Sequence, residues 1–128
     1  MSEDITVLVE RCTMQIHLDA FFTQMPLVKI KKLLGYVFQE PWRNEGTIRI
    51  LGAYLPQKQA EAKEAWHKAS IEYQDGYRLP QNYLGEHLVF IERNNKKLLT
   101  AVKQSKCKYE RWGKIIAHFE MLKTKNHI

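Results

Sequence analysis

Apolar residues recur along this chain at alternating spacings of three and four, the pattern of helices that bury one face. It is longest near the C-terminus. Stepping alternately by four and three from Leu84 gives Leu84, Leu88, Ile91, Asn95, Leu98, Val102, Ser105, Tyr109, Trp112, Ile116 and Phe119, and all but Asn95 and Ser105 are apolar or aromatic. That seam predicts a helix over the segment 84–123.

Upstream, prolines and glycines cut the chain into helix-sized pieces. Residues 2–22 carry Ile5, Val9, Cys12 and Ile16 on one stripe behind Ser2 as N-cap. The β-branched run there, with Met14, Ile16 and Leu18 alternating, makes a short hairpin over residues 5–18 the alternative. Pro26 suits the start of a second helix running to about Gln39, with Leu27, Ile30, Leu34, Val37 and Phe38 on one face and Pro41 as its stop. Asn44-Glu45-Gly46 reads as a turn, and 47–55 as a short helix or a strand, the helix favoured because no partner strand is evident. Pro56 then reads as the opening of a separate helix to about Gln74, with Ala62, Trp66, Ala69 and Tyr73 buried, ended by Asp75-Gly76.

These elements predict a mostly all-α fold, one domain over residues 1–128, built as a bundle of about five helices. Length agrees, since 128 residues fit a single core. One difficulty follows from geometry. An unbroken helix over 84–122 is about 58 Å long, whereas a compact chain of this length is about 36 Å across. Either the helix breaks, the favoured reading, at Asn94-Asn95 where the seam turns polar, or the projection is an oligomer interface.

Charge changes the picture more than composition does. Apolar residues make up 45% of the chain and charged residues 27%, as in ordinary globules. The net charge of +6 is unevenly placed. Residues 92–128 hold ten Lys/Arg against three acids, and residues 1–91 hold ten against eleven. At about 100° per residue, Arg93, Lys96, Lys103, Arg111, Lys114 and His118 lie opposite the seam. A basic face of this kind attracts phosphates or acidic protein surfaces.

Catalytic chemistry is not legible. The five histidines fall in no metal-ligand spacing, the glycines form no phosphate loop, and no serine sits in a nucleophile elbow. Cys12 and Cys107, 95 positions apart, suggest neither a zinc site nor a redox pair. No apolar stretch approaches a membrane span, and Met1-Ser2-Glu3-Asp4 is acidic where a secretory signal is basic. The expectation is a cytoplasmic, non-enzymatic accessory or regulatory protein without cofactor or metal. Its basic helix would bind the phosphate backbone of DNA or RNA through Arg93, Lys96, Lys103, Arg111 and Lys114. The alternative is an adaptor, inhibitor or assembly factor for a protein partner, acidic or homo-oligomeric, using the loop-borne Trp42, Arg43, Tyr77 and Arg78.

Overall fold

The computed structural model describes residues 18–39 and 45–126. It is all-α. Among the described residues there are four α-helices and one 3-10 turn: α1 (18–24), α2 (Leu27–Phe38), α3 (Glu45–Gly76), the turn Pro80–Asn82, and α4 (Gly85–Lys125). Most of the hairpin alternative at 5–18 lies outside the described residues, but its last position, Leu18, is helical.

The helix expected after Pro26 is α2, and it buries Ile30, Leu34 and Phe38 as its spacing predicts. Two expected boundaries between α2 and α4 are corrected. Glu45 and Gly46 are not a turn but the first residues of α3, where the Glu45 carboxylate faces the positive end of the helix. Pro56 does not open a helix; it lies inside one of 32 residues. Proline lacks an N–H, so the Gly52 carbonyl loses its usual partner at about 3 kcal/mol. Burial of Ile48, Leu51 and Leu55, all at most 5% exposed, is worth roughly 1.5–3 kcal/mol for each side chain and outweighs that loss. Five expected helices therefore become four.

The largest correction is α4. It runs unbroken for 41 residues through Asn94 and Asn95, a rod of about 61 Å. Asn95 is no weak point. It is 8% exposed, and its side-chain amide clamps the loop that closes the hairpin: the Arg78 backbone N–H donates to Asn95 Oδ1 (3.1 Å), while Asn95 Nδ2 donates to the Arg78 carbonyl (2.7 Å). The seam turns polar there because it meets backbone.

Helices α3 and α4 form a long antiparallel hairpin. Its pairings run in opposite chain directions: Tyr54 with Trp112 (6.1 Å between ring centroids), Trp66 with Tyr109 (5.5 Å), then Arg78 with Asn95. A Cβ added to Gly76 would meet Leu98 Cδ1 at 2.9 Å, so any larger residue there would push the Leu98 side chain aside. At the hairpin's far end Gly85 takes φ +61°, the left-handed turn into α4.

Helices α1 and α2 pack on one side of the hairpin's base. Phe22 meets Tyr54 (5.8 Å) and Trp112 (5.7 Å), and Phe38 meets Phe119 (5.5 Å). The core, Phe22, Ile30, Leu34, Phe38, Leu51, Leu55, Ile115 and Phe119 among others, is concentrated there. Beyond it the hairpin projects as a two-helix arm in which Ala69, Ile91 and Asn95 are buried. No helix among the described residues is long and apolar enough to cross a membrane.

Candidate nucleic-acid interface

The α4 seam advances by strict four-three steps, a seven-residue repeat. Such a seam stays on its partner only if the helix supercoils, because a straight helix drifts about 20° per heptad. Near the base, α1 and α2 pack against one flank of α4 and take up Arg111 and His118, whereas the cations along the arm keep the outward position read from the sequence.

The contacts follow this division. Arg93, Lys96, Lys103 and Lys114 are exposed. Arg111 is half-buried: its Nε and Nη2 donate to the Phe22 carbonyl (3.3 and 2.9 Å), and Nη2 also donates to the Met25 carbonyl. These carbonyls lie at the C-terminal end of α1, where the helix leaves them without partners of its own. His118 likewise turns inward, its Nε2 3.2 Å from the Lys31 carbonyl. The structure therefore brings four of the five expected cations onto the free surface of α4 and commits the fifth to holding α1.

Arg93 to Lys114 spans 21 residues, about 32 Å of helix. Lys97, Lys106 and Lys108 are exposed along the same stretch. Among the described residues none of these seven cations forms a salt bridge; the ion pairs are Lys58 with Asp19 (3.2 Å) and Glu61 (3.3 Å), and Lys123 with Glu120 (3.9 Å). Lys106 and Lys108 flank the seam rather than oppose it, one on each side, and Lys97 holds the position two heptads before Arg111.

On α3, the flank that faces the same way as α1 and α2 carries Glu61, Lys68, Glu72 and Asp75, and the opposite flank carries Lys63, Ser70 and Tyr77.

At the base, three ionisable side chains of α1 and α3 are coupled. Tyr54 Oη donates to Asp19 Oδ1, which also pairs with Lys58. The Tyr54 hydrogen bond, helped by Lys58, holds the Asp19 carboxyl below its ordinary range. Burial first and the Asp19 carboxylate second push the Tyr54 hydroxyl far up. Burial pulls the Lys58 ammonium down, but its Asp19 and Glu61 partners outweigh this and leave it raised. This triad latches α1 to α3.

The four residues expected to meet a protein divide. Trp42 and Arg43 lie outside the described residues. Tyr77 and Arg78 are exposed at the arm's tip, with Tyr77 on Tyr73 (5.4 Å) and Arg78 Nη1 donating to the Asp75 (2.8 Å) and Tyr77 (3.2 Å) carbonyls. Around them the tip exposes Leu79, Leu84, Val89 and Phe90. Leu84, a seam residue by spacing, is 84% exposed because it precedes the first turn of α4.

Among the described residues no three His, Cys, Asp or Glu side chains gather as metal ligands, and Cys107 is free and exposed. No family model matches the chain, and neither a curated protein nor a solved structure shows significant similarity to it.

Proposed function

We propose that the protein is a non-enzymatic, cytoplasmic accessory factor that binds the phosphate backbone of nucleic acid along α4. One observation carries this reading: seven exposed cations, without salt-bridge partners among the described residues, stand on about 32 Å of one continuous helix. Each lysine or arginine that meets a phosphate releases a counterion, which favours binding most at low salt. The helix is held in place by its partner, so the charges are displayed without an ordering cost at binding.

Fluorescence anisotropy with labelled oligonucleotides across a salt series tests the proposal. Affinity should fall linearly with log salt, and Lys96→Glu with Lys103→Glu should reduce the slope by roughly 0.7–0.9 for each phosphate that is no longer neutralised. Absence of binding at about 50 mM salt would sink the idea.

A second reading rests on the tip, where Leu84 is 84% and Phe90 68% exposed. Exposed apolar side chains this close together are a protein-docking feature. On that reading Phe90→Glu abolishes partner capture or self-association and leaves the oligonucleotide titration unchanged.

A further inference from the structure

The side of the arm turned away from α1 and α2 joins aromatic rings to the cations. Trp66 of α3 and Tyr109 of α4 lie ring against ring across the seam, with centroids 5.5 Å apart and planes 30° apart. Nearer the tip, Tyr73 and Tyr77 form a second pair, at 5.4 Å and 38°. In the seven-residue frame, Trp66, Tyr73 and Tyr109 fall on the rim of the seam on this open side, and Tyr77 falls on the flank beside it. Lys63 and Lys106 hold the corresponding flanks of α3 and α4, three residues from Trp66 and Tyr109. On α4, Lys96 and Lys103 stand exposed on the outer surface next to this side.

The opposite side is occupied at the base by α1 and α2, and along the arm its α3 flank carries Glu61, Glu72 and Asp75 with Lys68 among them. Among the described residues, the open side also carries acids: Glu92 toward the tip, Glu110 on its outer edge, and Glu45 and Glu120 at the base, Glu120 beside Lys123 (3.9 Å). Positive charge and partly exposed rings thus share one surface, with two aromatic pairs about 10 Å apart along α3.

A duplex offers phosphates but hides the faces of its bases. A single strand offers both, and every base has a face that can stack. Resting on the phosphate-binding reading above, we infer that the preferred ligand is single-stranded nucleic acid, with its bases stacked on the Trp66–Tyr109 and Tyr73–Tyr77 pairs and its phosphates on Lys63, Lys96, Lys103 and Lys106. Recognition is sequence-tolerant, because stacking and phosphate contact read no base edge.

The test compares oligo(dT), oligo(U) and a mixed duplex, each about 16 nucleotides long, by anisotropy at one low salt concentration, with Trp fluorescence read in parallel. Tyr77 is 37% exposed at the end of α3, so Tyr77→Ala is compatible with folding, and Tyr77→Phe keeps the ring. Circular dichroism checks both variants. Single strands should bind more tightly than the duplex and quench Trp fluorescence. Tyr77→Ala should weaken single-strand binding about fivefold or more and duplex binding little, while Tyr77→Phe should match the wild type. Tighter binding of oligo(U) than oligo(dT), or the reverse, identifies RNA or DNA as the source of the strand. Equal affinity for duplex and single strand, with Tyr77→Ala neutral, overturns the stacking inference and leaves the phosphate reading intact. Failure of all three ligands to bind overturns both.

Discussion

Replacing Asn95 by Ala tests whether the arm's tip is held by the amide clamp. Asn95 is 8% exposed and makes two hydrogen bonds to the backbone of Arg78. Each is worth about 0.5–1.5 kcal/mol net, so removing both costs roughly 1–3 kcal/mol. Alanine returns about half a kcal/mol through its better helix propensity. The expected loss is about 1–2 kcal/mol, a fall in Tm of roughly 3–10 °C for a chain of this size. Thermal unfolding followed by circular dichroism measures the total. Hydrogen exchange at the Arg78 amide locates it, because that N–H loses its acceptor. Asn95→Leu sharpens the comparison by extending the apolar seam while breaking the clamp, so Arg78 should lose protection in this variant too. If Asn95→Ala melts with the wild type and Arg78 exchanges at its original rate, the clamp contributes nothing and the reasoning is refuted.

Arg111→Met should destabilise by about 2 kcal/mol, since two carbonyls at the end of α1 lose a charged donor, whereas Lys103→Met should stay within about 0.5 kcal/mol; equal urea midpoints for the two variants would contradict the division of α4 into anchoring and free cations. Pro56→Ala restores an N–H inside α3 and should raise stability by at least about 1 kcal/mol; a lowered Tm would show that the helix is adapted to its proline. The Asp19 carboxyl is held below its ordinary value of 3.8, so its contribution is present above that pH and disappears as pH falls through the lowered native value. Asp19→Asn should flatten that part of the acid unfolding curve, and an unchanged curve would assign the acid sensitivity to other carboxylates.

The local periods were legible because they follow from chain geometry alone. Ile30, Leu34 and Phe38 share a face at helical spacing, and they are the buried residues of α2. The seam through Ile91, Trp112 and Phe119 was equally readable, and all three are buried. Ile115 was not readable: it is 0% exposed but sits beside the seam, and only the packing of α1 and α2 on that flank buries it. The same flank takes Arg111 and His118 out of the outward-facing set, because carbonyls of α1 and α2 accept their hydrogen bonds there. Pro56 and Asn95 misled for a related reason. Each is a local signal for a helix end, and each is overridden by contacts with residues distant in sequence, the core around Leu55 and the backbone of Arg78. The candidate interface divides in the same way. That α4 is basic and helical could be read from its own residues, since charge and spacing are properties of one segment. Which cations stay free, and which aromatic rings stand beside them, depends on the pairing of α3 with α4 and on the side where α1 and α2 pack, because a surface shared by two helices exists only once they meet.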